Sequence, residues 1–121
     1  MEINVGMDGD IVMLDLNGDL VASTAEDLKA QVAKLVEKNF RYIMLDLSKF
    51  GFMDSSGLGA CMAVHKTLNE KQGMLVCAQP SEAVAKIFRI TRADQKIKVM
   101  PTRSDASKNI FDRIVQDRKQ K

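Results

Sequence analysis

The chain is 121 residues long, which predicts one domain over 1–121 with a single core of sheet and helices. Its hydrophobic fraction of 45% is that of a soluble globule, and a net charge of +2 with scattered basic residues argues against a nucleic-acid binder. The two cysteines, Cys61 and Cys77, form no C-x-x-C pair and sit in apolar runs, which reads as buried free thiols in a reducing compartment. No apolar run approaches the roughly 18 residues of a membrane span. The acidic, alternating "MEINVGMDGD" is no signal peptide, so the expected location is cytoplasmic.

"INVGM" alternates, with Ile3, Val5 and Met7 on one side, and predicts a half-exposed strand. Asp8-Gly9 is a strong hairpin turn signal, and "IVMLDL" (11–16) follows as a more buried strand. "STAEDLKAQVAKLVEKN" predicts a helix. Ser23 with Glu26, or Thr24 with Asp27, would form its capping box, and Leu28, Val32, Leu35 and Val36 its inner stripe. "YIMLDL" (42–47) is apolar on both faces, as a central parallel strand requires, and "SKFGF" is expected to cross as a loop.

The next helix should start near Asp54. Its buried face would carry Leu58, Cys61, Met62, His65 and Leu68, widened by Ala60, Ala63 and Val64, and Gly73 would end it. "MLVCA" (74–78) is a third buried strand. Pro80 would open a short helix with Val84, Ile87 and Phe88 inward. "IKVM" (97–100) is a last short strand stopped by Pro101. Ser104 would cap a final helix with Ile110, Phe111, Ile114 and Val115 as its stripe. The order ββαβαβαβα predicts an α/β fold: a mixed, mostly parallel sheet of about five strands with an N-terminal hairpin and about four helices.

Most chemistries lack their residues. There is one histidine, His65, on the buried side of a helix, so neither a metal site nor a Ser-His-acid triad has its parts. Gly57 and Gly59 begin a G-x-G-x-x-G loop, but position 62 is Met. A P-loop would need Lys-Ser/Thr where Ala60 and Cys61 stand. Asp46 at the end of a buried strand could accept a phosphoryl group, but a receiver-like chain would open β then α, not with a hairpin. No catalytic residue, cofactor or metal is expected.

The remaining feature is "FGFMDSSGLG", residues 50–59. Asp54 is a natural N-cap, and Ser55 and Ser56 would lie in or beside the first helical turn, next to free amides and the positive end of the helix dipole. Gly57 and Gly59 each cost a helix roughly 1 kcal/mol against alanine, which makes sense where another surface must come close. The motif follows a buried strand at the carboxyl edge of the sheet, where α/β domains bind ligands.

"MDSSGLG" after "YIMLDLSKFGF", with "LNGDLVASTAEDLKAQV" before it and "VCAQPSEAVAKIFRIT" after it, resembles the STAS domain, as in anti-sigma-factor antagonists, over nearly the whole chain. The resemblance implies phosphorylation of Ser55 and a partner-binding surface including Asp54, Ser56, Gly57 and Leu58. It implies three further functions: an anti-sigma factor that is itself a serine protein kinase and is bound by the unphosphorylated form, release of the sigma factor by that binding, and a metal-dependent serine phosphatase that resets the switch. An alternative is a STAS interaction subunit of a stress-signalling scaffold or transporter accessory complex. The chain departs from the family pattern in two places. Val21 stands where members often carry a polar residue, and Arg92 and Ala93 stand where members often place a glycine.

Overall fold

The expected alternation is realised as five strands and four α-helices in a computed structural model that describes residues 1–119. In chain order these are β1 (Glu2–Asp8), β2 (Ile11–Leu20), α1 (Ala22–Glu37), β3 (Tyr42–Met53), α2 (Ser55–Glu70), β4 (Met74–Ala78) and α3 (Glu82–Ile90). A 3-10 turn (Ala93–Gln95), β5 (Lys98–Met100) and α4 (Arg103–Lys119) complete the fold.

The strands lie in the order β1-β2-β3-β4-β5. β1 pairs antiparallel with β2, from Glu2 opposite Asn17 to Asp8 opposite Ile11, and every other neighbouring pair is parallel. From β2 to β5 the sheet grows in one direction, and crossovers of one hand that step in one direction leave their helices on one face. So α1, α2 and α3 share a face, where they bury Val12, Leu14, Leu16, Ile43, Leu45, Leu47, Leu75 and Cys77. α4 follows the last strand, is no crossover, and covers the other face over Ile11, Met44, Val76 and Ala78. The two sets alternate along each strand because successive side chains point to opposite faces. Among the described residues no helix is long and apolar enough to cross a membrane.

Several boundaries differ from the sequence reading. "SKFGFM" is strand, not loop: β3 runs on to Met53, and β2 runs on to Leu20 to pair with it, with register shifts between Asp15 and Asn17 and between Gly18 and Leu20. α1 is capped from Val21, with the Thr24 hydroxyl accepting the Val21 N–H at 3.0 Å, so neither expected capping box forms. Pro80 precedes α3; its cap is Ser81, whose Oγ accepts the Val84 N–H at 3.3 Å. Thr102 rather than Ser104 caps α4, accepting the Asp105 N–H at 3.0 Å. α2 ends at Glu70 with Lys71 as its C-cap, and it is Gln72, not Gly73, that takes the left-handed position at φ 63°, while Gly73 donates to the Leu68 carbonyl at 2.7 Å. On α4, Ala106, Ile110 and Ile114 face the sheet, whereas Phe111 and Val115 are exposed. A lone helix on this face buries only a narrow i, i+4, i+8 stripe.

Candidate functional site

The extensions of β2 and β3 carry the chain past the end of β4 and set the starts of α1 and α2 side by side. Asp54 caps α2. Its Oδ1 accepts the Gly57 N–H at 2.9 Å, and its own N–H donates to the Leu20 carbonyl at 3.3 Å. The Asp54 carboxylate is therefore committed to the helix start. Across the gap, the Thr24 hydroxyl donates to the Asp19 carbonyl at 2.7 Å and fixes the turn that leads into α1.

Ser55 and Ser56 occupy the first turn of α2 and are both exposed. Because Asp54 does the capping, neither hydroxyl makes a hydrogen bond among the described residues. Both are left as free hydroxyls in the positive field of a helix N-terminus. Leu58 and Met62 are half-buried against the core, less than expected, while Val64 is buried as expected.

Gly57 corrects the sequence reading. It is buried, and a Cβ there would lie 2.1 Å from the Leu20 carbonyl oxygen. Its missing side chain lets α2 pack on the end of β2; it does not admit a partner. The glycine with open space around it is Gly59, exposed one turn from Ser55, where a Cβ would meet nothing within 4 Å.

One neighbour was missed. Phe52 is 55% exposed, two residues before Asp54. Alternation would put Phe52 on the same face as Phe50, but the register shift where Gly18 and Leu20 pair with Phe50 and Met53 breaks the alternation, turning Met53 inward and leaving Phe52 outward, so the strand pattern held no signal for it. Val21, which departs from the family pattern, is half-buried at the start of α1.

The other chemical groups are occupied or inert. Asp46 is 4% exposed and its carboxylate is fully engaged: it accepts the Ser48 N–H at 2.9 Å and the Gln79 side-chain amide at 3.1 Å, and pairs with Arg103 at 3.1 Å. It anchors the start of α4 and is not free to accept a phosphoryl group. Cys61 and Cys77 are buried free thiols. Burial pushes the Cys61 pKa up to about 12 and raises that of Cys77 well above its ordinary value, so neither is a nucleophile at neutral pH. His65 is half-buried; desolvation, then the Lys96 charge, lower its pKa and favour the neutral imidazole.

A family model described as "STAS domain" matches residues 2–106. The chain belongs to the STAS domain family. The STAS match ends within the first turn of α4. BtrV of Bordetella bronchiseptica, which carries the provisional name anti-sigma factor antagonist, is 34% identical over 76 residues, covering 63% of this chain and 66% of its own length. The crystal structure of TM1081 from Thermotoga maritima, under the same provisional name, superposes with a TM-score of 0.85 at 25% identity, over 90% of this chain and 94% of that one. The Bacillus cell fate determinant SpoIIAA, solved in its phosphorylated form, gives a TM-score of 0.70 at 21% identity, over 90% of this chain and 99% of that one. At that identity the likeness establishes the shared fold alone.

Proposed function

We propose that this protein is a cytoplasmic anti-sigma-factor antagonist that works by partner switching and has no catalytic activity of its own. In this reading the unphosphorylated domain binds an anti-sigma factor that is a serine protein kinase, and the sigma factor is freed. The kinase phosphorylates Ser55 and binding ends; a serine phosphatase restores it. Ser56, Leu58, Gly59 and Phe52 form the docking surface around Ser55, with Asp54 and Gly57 shaping it from beneath.

The observation that carries this reading is the state of Ser55: exposed, without a hydrogen-bond partner among the described residues, one residue after a cap that needs nothing from it. Among the described residues no side chain accepts a hydrogen bond from its hydroxyl, and no local base is required if the enzyme is the partner. A phosphate adds about −1.5 to −2 charges. At the N-terminus of α2 the free domain tolerates that charge, because the dipole favours anions by roughly 0.3–1 kcal/mol. In a packed interface the same charge must be desolvated and takes up space the partner needs. The fold survives modification while the complex does not.

The test is incubation with the cognate ATP-loaded kinase, mapping of the phosphosite, and titration of both forms against that kinase. The expected result is phosphate on Ser55 and an affinity about a hundredfold lower for the modified form, or about 3 kcal/mol. Phosphate on Ser56, or equal affinity of the two forms, would show that the residue or the switch is wrongly assigned.

A further inference from the structure

The second face of the sheet, away from Ser55, carries a feature that partner switching does not use. Between the β1–β2 turn and α4 lies a groove of about 470 Å³ with a mostly apolar floor, including Ile11 and Ile114. Phe111 stands on its helix wall and is 60% exposed, a phenyl ring held in water. The rim is charged in a particular way. Asp8 and Asp10 come from the hairpin wall, Lys108 and Arg118 from the helix wall. Arg118 and Asp10 pair with each other at 2.5 Å, whereas among the described residues Asp8 and Lys108 have no ion-pair partner.

We propose that this groove is a homodimer interface in which two copies pack about a two-fold axis, each placing Phe111 in the groove of the other and setting Asp8 against the other's Lys108. A two-fold contact needs one patch that complements itself. This one has a knob and a hole side by side and one unpaired charge of each sign on opposite walls. A partner of uniform charge would leave one of the two walls repelled. The aromatic at the centre with charges at the rim is the ordinary anatomy of a specific interface. Because α4 and α2 lie on opposite faces of the sheet, the dimer presents two Ser55 surfaces, both open.

Sedimentation over a concentration series tests the proposal, with a dissociation constant expected on the order of 10–100 μM. Phe111→Asp should weaken association at least tenfold without lowering the thermal midpoint of the monomer, since Phe111 is exposed. Asp8→Lys and Lys108→Asp each set like charges face to face and should each weaken association. An equimolar mixture of the two single variants should associate as the wild type does, because both facing pairs are then opposite in sign. A wild-type protein that stays monomeric to 1 mM, roughly the weak limit of specific association, would overturn the proposal. So would a dimer indifferent to Phe111→Asp, or a mixture that fails to restore association.

Discussion

Gly57 sits so close to Leu20 that a Cβ at position 57 would stand 2.1 Å from the Leu20 carbonyl oxygen and 2.9 Å from its carbonyl carbon. The same carbonyl accepts the Asp54 N–H at 3.3 Å. One backbone group at the end of β2 thus fixes both the cap of α2 and the glycine that follows it.

Gly57→Ala should destabilise the domain by about 1–3 kcal/mol, because the obstructing atoms are backbone and cannot rotate away. Gly57→Val should cost more. Gly59→Ala should instead stabilise it by about 1 kcal/mol, since the added methyl meets open space and alanine is the better helix former. Chemical denaturation of the three variants measures this. The same Gly59→Ala protein should bind the kinase more weakly if the partner approaches there.

At the switch residue, Ser55→Asp should leave stability unchanged or raise it by roughly 0.3–1 kcal/mol, since an anion at a helix start is favoured. It should bind the kinase poorly, although one carboxylate carries less charge than a phosphate and none of its shape. Ser55→Ala should bind and resist phosphorylation, and Ser56→Ala should still take up phosphate at Ser55. Thermal melts and titration with each variant read out both effects.

Arg92 closes α3 in the left-handed region at φ 60° and ψ 19°, where a side chain is strained. Arg92→Gly should raise stability by about 0.5–1 kcal/mol. Gln72 after α2, at φ 63°, should respond in the same direction. If Arg92→Gly is destabilising in denaturant titrations, the arginine side chain makes a stabilising contact that outweighs its backbone strain.

Asp46→Ala should cost about 2 kcal/mol. It strips an acceptor from the Gln79 amide and the Ser48 N–H and leaves Arg103 facing Asp15 alone, at 3.6 Å. The half-exposed guanidinium keeps water, which holds the cost below that of a fully buried ion pair. Hydrogen exchange should show the first turn of α4 opening more readily.

The far end of α4 is pinned by the Tyr42 hydroxyl, which donates to Asp117 at 2.6 Å, and by Arg113, which pairs with the same carboxylate at 3.0 Å. The hydrogen bond from Tyr42, ahead of the contribution from Arg113, lowers the Asp117 pKa below 3.8. Burial first, then the bond to Asp117, raises the Tyr42 pKa from 10.0 to about 12. The depressed Asp117 contributes stability that is present above pH 3.8 and is lost as pH falls through its folded pKa. The raised Tyr42 contributes stability that is full below pH 10 and is lost as pH rises through about 12. Tyr42→Phe should flatten the stability–pH curve in both windows and change its shape little between them, as equilibrium unfolding across pH would show.

The sequence by itself determined the element order and the capped start of α2 at Asp54, which puts Ser55 and Ser56 in its first turn. Each rests on a local rule: apolar periodicity, or a short polar side chain closing onto amides three residues away. Only the tertiary structure decided that "SKFGFM" is strand, because its hydrogen bonds go to β2 residues more than thirty positions earlier, and Ser48, Lys49 and Gly51 resemble a loop until that partner is in place. Only the tertiary structure turned Gly57 from a partner contact into a packing requirement, because the atom that forbids a side chain belongs to Leu20. On α4 the apolar period was legible. How much of it is buried was not, because that depends on how many elements share a face of the sheet, and on its face α4 lies alone over Met44 and Val76 with Phe111 left in water.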